Sequence, residues 1–143
     1  MEKYTLKFFK TPISLPHLNQ VSAVFLIAFD NDQVLSCQNE RGWDIPGGHV
    51  EPGESLIECL QREVEEEAGA SFDLAIPFAT LAFEDSGGLV MLFYATKHVK
   101  LKDFKPLADA FARGFKMIPE LLNLYQGDKE LLNKILQQAK AVL

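Results

Sequence analysis

The strongest constraint on this chain is the stretch from Gly48 to Ala70, GHVEPGESLIECLQREVEEEAGA, in which seven residues are Glu and one is Arg. Carboxylates three or four residues apart on a helix repel each other by a few tenths of a kcal/mol per pair. An isolated segment of this composition is therefore a poor helix. The fold has to supply a packing surface for it, and the surplus negative charge makes it a good site for a cation.

Signals at both ends of the stretch predict where its helix begins and ends. Ser55 followed three residues later by Glu58 has the spacing of a capping box, and Pro52-Gly53 forms a turn just before it. Gly69 stands where a left-handed residue is wanted after the last turn. The apolar residues between these signals are expected to form one buried stripe at helical spacing: Leu56, Ile57, Leu60 and Val64.

The same helical geometry, about 100° per residue, divides the carboxylates into two groups. Glu54, Glu58 and Glu65 are expected on the solvated side, opposite the stripe. Glu63, Glu66 and Glu67 are expected along one margin of the stripe. A carboxylate near a core is costly unless it is paired or binds a metal, and Arg62 can neutralise one of the three. Hard divalent ions prefer oxygen ligands. The spacing therefore suggests a Mg²⁺ or Mn²⁺ site, with an ordinary acidic surface helix as the alternative.

The order of fixed residues in this stretch resembles a known family. Gly48, five residues, Glu54, seven residues, Arg62-Glu63-Val64, one residue, Glu66-Glu67, one residue and Gly69-Ala70 match the Nudix box at every fixed position. The preceding Trp43-Asp44-Ile45-Pro46-Gly47-Gly48 is also similar to the usual approach to that box. The resemblance implies a loop-helix-loop catalytic motif on an α/β/α sandwich. It also implies hydrolysis of a nucleoside diphosphate linked to another moiety, with a divalent metal ion.

The resemblance implies a role for each matching residue. Glu66 and Glu67 would be metal ligands, and Glu63 would be either a ligand or the base that activates water. Arg62 would orient Glu63 or pair with it. The backbone carbonyl of Gly47 would be a further ligand, and Gly48 would lie against the substrate. Glu54 would be more distant, as a partner of Arg62 or a contributor through water.

Residues outside the box carry weaker signals. Many family members supply one more acidic ligand from elsewhere in the chain, and Asp109, before the last expected strand, is the candidate here. Glu84 and Asp85 are its rivals. Trp43 is a candidate for stacking on a base, although aromatic residues at such spacing are usually core. His49 and His98 are disfavoured as catalytic bases.

Length and composition limit the classes of protein to consider. With 143 residues, of which 48% are hydrophobic, the chain is expected to fold as one domain, residues 1–143. Its 14 basic and 20 acidic residues give a net charge of −6, which disfavours a nucleic-acid polymer as partner. A small phosphorylated substrate is still allowed, because a bound metal inverts the local field. Neither a signal peptide nor a membrane span is expected, and two cysteines indicate reduced thiols in a cytoplasmic protein.

The rest of the chain predicts a mixed sheet covered by helices, hence an α/β (α+β) fold. Val21–Phe29 is apolar almost without alternation, as a strand buried on both faces would be, and Gln33–Gln38 is its expected hairpin partner. Gly47-Gly48 and the lysine-rich segment Lys97–Lys105 are predicted as loops, the second being either solvated or near substrate phosphates. Further predictions are a loop over Thr11–Pro16, strands over Tyr4–Phe8, Phe72–Phe83, Leu89–Lys97 and Phe111–Ile118, and helices from Pro119 to Tyr125 and after Asp128.

The family resemblance implies a metal-dependent hydrolase of nucleoside diphosphate derivatives, expected to work as a monomer or a homodimer. Nucleoside triphosphates, oxidised ones included, are the preferred substrates, because a compact chain with little beyond the box resembles the house-cleaning members of the family. ADP-ribose, other nucleotide sugars and dinucleoside polyphosphates are the alternatives. A Nudix-fold nucleotide sensor without turnover is the alternative from another class. The intact Arg62-Glu63 and Glu66-Glu67 pairs disfavour the sensor, which has no need of a base.

Overall fold

The computed structural model describes residues 3–10, 19–105 and 111–143, and within these ranges strands dominate the first two thirds of the chain. The strands are β1 (Tyr4–Phe8), β2 (Val21–Asp30), β3 (Gln33–Asn39), β4 (Gly42–Asp44), β5 (Gly47–His49), β6 (Ala70–Ser71), β7 (Ile76–Phe83), β8 (Val90–Thr96), β9 (Lys100–Leu101) and β10 (Ala112–Met117). The helices are α1 (Leu56–Ala68), α2 (Ile118–Leu124) and α3 (Lys129–Val142), with a 3₁₀ turn over Glu84–Ser86.

The main sheet is mixed, and its strands run in the order β1-β7-β8-β2-β3-β10. The short strands β4 and β5 extend it by pairing with β3 and β2, while β6 and β9 form a separate ribbon. Strand β2 pairs parallel with β8 and antiparallel with β3 and β5. Since β2 lies in the interior of the sheet, both of its faces are covered, which explains why Val21–Phe29 is apolar almost without interruption.

Successive residues of β2 enter two different cores. Val24 and Leu26 pack on one side with buried residues of α1, such as Leu60 and Val64. Ile27 and Phe29 pack on the other side with apolar residues of the two C-terminal helices: Ile118, Leu121, Leu131, Leu132, Ile135, Leu136 and Ala139. The sheet thus lies between α1 and the pair α2–α3. This arrangement confirms the predicted α/β/α sandwich with a mixed sheet.

Some predicted elements have different bounds in the structure. The strand expected over Phe72–Phe83 begins at Ile76, because Phe72 turns into the core beside α1. The lysine-rich segment is not entirely a loop, since Lys100–Leu101 pairs with Ala70–Ser71. The predicted loop Thr11–Pro16 lies outside the described residues. No helix in the described ranges combines the length and the apolar character needed to cross a membrane.

Candidate active site

Both ends of helix α1 carry the caps predicted for them. The Ser55 hydroxyl accepts a hydrogen bond from the Glu58 amide at 3.1 Å, and the Glu58 carboxylate accepts one from the Ser55 amide at 3.0 Å. Gly69 ends the helix in the left-handed region, at φ 57°, and its amide donates to the Glu65 carbonyl at 2.9 Å. The capping box and the glycine C-cap are therefore confirmed.

A contact that the sequence did not indicate also closes the helix. Arg113, on strand β10, donates through Nη1 to the carbonyls of Ala68 at 2.9 Å and Gly69 at 2.7 Å. Its Nη2 donates to the Lys102 carbonyl at 2.6 Å, and the guanidinium lies over the Phe104 ring. A cation at the C-terminal end of a helix also opposes the negative end of the helix dipole.

The buried side of α1 differs in part from the predicted stripe. Leu60 and Val64 are fully buried, but Ile57 is 39% exposed, so its placement on the stripe was wrong. In the first turn of α1 it is Leu56 that packs against the core, and Ile57 next to it faces solvent. Cys59 is fully buried because β5 lies on its side of the helix, with the thiol 3.4 Å from the His49 carbonyl.

Gly47 and Gly48 belong to a strand, so the prediction of a loop here was wrong. They pair antiparallel with Phe25 and Val24 of β2. A Cβ on Gly47 would lie 2.7 Å from the Phe25 Cα, and a Cβ on Gly48 would lie 2.5 Å from the carboxyl carbon of Glu63. The missing side chains let this backbone lie directly on β2 and under the acidic helix.

Arg62 joins the carboxylates that surround it. Its Nε and Nη2 hold the two oxygens of Glu54 at 2.7 and 3.0 Å, the two-pronged geometry that suits a guanidinium. Nη1 donates to Glu63 at 2.9 Å and to Glu66 at 3.3 Å. The pairing of Arg62 with Glu63 is as predicted. Glu54 is the carboxylate that Arg62 binds in a bidentate manner, through Nε and Nη2.

Glu54 was wrongly placed on the solvated side of the helix, because its side chain is only 13% exposed. It precedes the first helical residue, Leu56, so helical angles do not apply to it. The alternative role, as a partner of Arg62, is the one found. The hydrogen bond from Arg62 lowers the pKa of Glu54 to about 2, whereas burial raises the pKa of Glu63 despite the same guanidinium.

Glu67 has a different environment from the other acids. Its Oε1 accepts a hydrogen bond from the Gly47 amide at 2.9 Å, which ties α1 to β5. Among the residues described, no Lys or Arg side chain forms an ion pair with it. Burial, with the nearby charges of Glu63 and Asp44, raises the pKa of Glu67 to about 7. This is a partly buried carboxylate that lacks a cation.

The raised pKa of Glu67 predicts how the stability of the metal-free protein depends on pH. The folded chain holds a proton on Glu67 up to about pH 7, against an ordinary value of 4.5, so the charged form destabilises the fold. Its contribution to the free energy of unfolding therefore falls as pH rises from about 4.5 to about 7, by on the order of 3 kcal/mol. Glu67→Gln removes this dependence. In urea titrations, the free energy of unfolding of the variant should be higher than that of the wild type at about pH 8. At about pH 5 the two values should be nearly equal. A difference that stays constant with pH would contradict this.

The acids are suited to a divalent ion, although they do not form a closed cage. Within the described parts of the chain, no three His, Cys, Asp or Glu side chains already surround one point. Glu63 and Glu66 turn to Arg62, while Glu67 turns to the Gly47 amide. The available donors are all oxygens, which hard ions prefer. Mg²⁺ in particular takes one or two carboxylates and completes its shell with water and substrate phosphates.

The remaining candidates that the structure describes lie outside this cluster of acids. Trp43 packs partly buried against the α2–α3 core, with Lys116 Nζ 4.1 Å from its ring centroid. His49 is exposed. His98 is also exposed and lies near Phe29 and Asp30, at the last residues of β2 and beyond the part that pairs with β5. Glu84 and Asp85 are exposed in the 3₁₀ turn after β7, and Asp109 lies outside the described residues.

A large apolar cavity lies on the face of the sheet opposite α1, and its wall includes Asp44 and Ile45, which come shortly before β5. Its volume is about 490 Å³, and its wall contains five aromatic side chains: Tyr4, Phe25, Phe83, Phe93 and Tyr125. The rings of Phe25 and Phe93 stack at 5.3 Å. Phe25 is part of the cavity wall, and its backbone pairs with Gly47 of β5, the strand that lies under the acidic helix. Asp44 supplies a carboxyl group to the wall, and burial raises the pKa of Asp44 to about 6. No local pattern indicated this cavity, because its wall comes from elements distant in sequence.

A layered α/β/α fold with a capped acidic helix set against two glycines of a short strand defines the Nudix class. The family model for the NUDIX domain matches residues 19–119. The chain therefore belongs to the Nudix family, whose hydrolases require a divalent metal ion.

Curated relatives match a part of the chain. An 8-oxo-dGDP phosphatase, NUDT18 of Homo sapiens, is 42% identical over 72 residues, which are 47% of this chain and 21% of the relative. An RNA pyrophosphohydrolase of Erythrobacter litoralis is 39% identical over 51 residues, 36% of this chain and 31% of the relative. The chain thus spans less than a third of the length of these relatives.

Solved structures match more of the chain. The MutT protein of Bacillus halodurans is 25% identical and has a TM-score of 0.61, with 80% of each chain covered. The pyrophosphohydrolase BsRppH of Bacillus subtilis is 20% identical and has a TM-score of 0.75, with 99% of this chain and 89% of that chain covered. At this low identity the second comparison supports the fold alone.

Proposed function

We propose that this chain is a divalent-metal-dependent hydrolase that cleaves a phosphoanhydride bond in nucleoside diphosphate derivatives. The observation that carries the proposal is Glu67, a partly buried carboxylate with a raised pKa and no ion-pair partner among the described residues, beside the Arg62–Glu63 pair. Burying such a carboxylate destabilises the fold unless a cation binds to it and neutralises its charge in the active protein. Mg²⁺ or Mn²⁺ is the proposed ion.

The residues have separate proposed roles in the reaction. Glu66, Glu67 and the Gly47 carbonyl would hold the ion, and Glu63 would either join them or accept a proton from the attacking water. A bound divalent ion supplies neutralisation of phosphate charge and a lowered pKa for its water. Arg62 fixes the orientation of Glu63 through the 2.9 Å hydrogen bond, with Glu54 as its anchor. Gly48, whose missing Cβ makes space for the Glu63 carboxylate, is the proposed contact to the phosphates. Asp109 stays a proposed further ligand.

The substrate class is proposed from the cavity and from the relatives. An aromatic cavity beside Gly47 suits a nucleobase, and the neighbouring carboxylates suit the phosphates with their ion. The curated relatives act on 8-oxo-dGDP and on RNA, according to their names. Nucleoside di- and triphosphates, oxidised ones included, are the proposed substrates, with nucleotide sugars and dinucleoside polyphosphates as alternatives. Trp43 stays a proposed contact to the base. The protein is proposed to act as a single domain in the cytoplasm, as a monomer or a homodimer.

Metal dependence tests the proposed function directly. Purified protein, freed of metal, should release no phosphate or pyrophosphate from a panel of nucleotides in excess chelator. Added Mg²⁺ or Mn²⁺ should restore release, because the ion completes the carboxylate cluster. Full hydrolysis by metal-free protein would contradict the mechanism. Metal-independent nucleotide binding without any turnover would favour a nucleotide sensor, the alternative that the intact Arg62–Glu63 pair disfavours.

A further inference from the structure

The aromatic cavity has a carboxylate in its wall that the proposed chemistry does not use. Asp44 is partly buried at the end of β4, and its Oδ1 accepts a hydrogen bond from the Ile45 amide at 2.7 Å. In the described residues this is the only hydrogen bond to that side chain, so its Oδ2 and the second lone pair of Oδ1 are left for a ligand. Asp128, the other acid of the wall, is exposed and caps α3 through the Leu131 amide at 3.0 Å.

A carboxylate beside an apolar cavity favours a particular kind of ligand. When ionised it offers acceptors only, so a ligand gains most by presenting N–H donors to it. A ligand that turns an acceptor toward it leaves both groups unpaired, which is costly away from water. With a pKa of about 6, the Asp44 side chain is ionised at mildly alkaline pH. The hydroxyls of Tyr4 and Tyr125 can each donate or accept a hydrogen bond, so they discriminate between bases less strongly than the Asp44 carboxylate does.

We propose that Asp44 determines base specificity and selects guanine, whose edge presents the adjacent donors N1–H and N2–H, over adenine, which presents an acceptor at N1. This proposal rests on the proposed function, because it places the base of the same nucleotide in the aromatic cavity. Two parallel N–H groups facing one carboxylate form the strong, charge-assisted type of hydrogen bond. Guanine and 8-oxoguanine share this edge, so Asp44 serves both.

The position of Asp44 fits a base whose phosphates lie at the acidic helix. Asp44 and Gly47 are three residues apart, a distance of at most about 10 Å along the chain, which one nucleotide can span. Gly47 lies against Phe25, and the Phe25 ring is stacked on Phe93 in the cavity wall. A base held on these rings would meet Asp44 with its edge, and its phosphates would extend past Gly47, whose amide donates to Glu67 at 2.9 Å.

Direct binding of nucleoside monophosphates tests the proposal without turnover. At about pH 8 and without metal, calorimetry should show that GMP binds the wild type about tenfold or more tightly than AMP. IMP keeps N1–H but lacks the N2 amino group, so it should bind about tenfold more weakly than GMP. Asp44→Asn places an amide there, with one donor and one acceptor, which matches adenine. The variant should therefore lose GMP affinity and gain AMP affinity.

Asp73→Asn removes an exposed carboxylate away from the cavity and should leave all three affinities unchanged. Equal binding of GMP and AMP by the wild type, no binding of GMP, or an equal loss of both in Asp44→Asn would overturn the proposal. If Asp44→Asn does not fold, the comparison of GMP with IMP on the wild type decides. Selective GMP binding with no hydrolysis of GDP or GTP would overturn the proposed function alone. Hydrolysis without base selection would overturn the role of Asp44 alone.

Discussion

Replacing Glu63, Glu66 or Glu67 by Gln should lower kcat by a hundredfold or more, which corresponds to on the order of 3 kcal/mol in activation free energy. Gln keeps the size of the side chain and one acceptor oxygen, so the contact of residue 67 with the Gly47 amide, 2.9 Å in the wild type, is retained. The charge that holds the ion or accepts a proton is lost. Steady-state kinetics at saturating Mg²⁺ measures the effect.

Glu65→Gln is the matched control on the same helix. Glu65 is 61% exposed and pairs with Lys102 at 3.3 Å, a surface ion pair of small energetic value. Its replacement should change activity and stability by no more than about 0.5 kcal/mol. Comparable small effects at Glu65 and Glu67 would mean that α1 is an ordinary acidic surface helix. Without metal, Glu67→Gln should also unfold at a higher urea concentration than the wild type near neutral pH, because a buried negative charge is removed.

The second large effect is expected at the two glycines of β5, and it should separate folding from catalysis. In Gly47→Ala the new methyl group meets the backbone of β2, at 2.7 Å from the Phe25 Cα. Backbone in the middle of a sheet cannot move aside, so the free energy of unfolding should fall by about 3 kcal/mol or more. In Gly48→Ala the methyl group meets the Glu63 carboxylate, which is the end of a flexible side chain. The fold should survive, but a displaced Glu63 should lower kcat by about a hundredfold.

Gly114→Ala provides the control for both glycine variants. Gly114 is in strand β10, and a Cβ there would meet no atom within 4 Å. Its replacement should leave kcat unchanged and alter the stability by less than about 1 kcal/mol. Urea denaturation and steady-state kinetics on the three variants give the two readouts. Normal stability in Gly47→Ala would show that β5 is not held tightly on β2, and normal kcat in Gly48→Ala would show that the position of Glu63 is not critical.

The parts of the structure predicted well from sequence are those determined by neighbours along the chain. The capping box at Ser55 and Glu58, the left-handed Gly69 and the Phe29–Val34 hairpin pairing each depend on a few consecutive residues. The two-sided burial of Val21–Phe29 also followed from composition, because an interior strand must be apolar on both faces. From these features the layered fold and the bounds of the acidic helix were predicted correctly.

The parts that sequence alone missed depend on contacts between distant segments. Ile57 has the predicted helical angle but is exposed in the first turn, because a helical wheel does not show which residues the rest of the fold covers. Glu54 precedes the helix, and its position depends on the hydrogen bonds from Arg62. Gly47–His49 forms a strand because it pairs with β2, which is distant in sequence. The aromatic cavity, with Asp44 in its wall, is assembled from segments between Tyr4 and Ile135. Its members are near in space and scattered in sequence.

The contact made by Arg113 has a consequence for how the protein is made. Arg113 comes 44 residues after Gly69, whose carbonyl it binds, and it lies on β10 in register with Cys37 of β3. Ribosomes add residues at about 5–20 per second, from the N-terminus onward. The acidic helix therefore leaves the ribosome seconds before the side chain that closes its last turn. During that interval its carboxylates repel each other while its final carbonyls lack this donor, so the helix reaches its finished state only after β10 has joined the sheet.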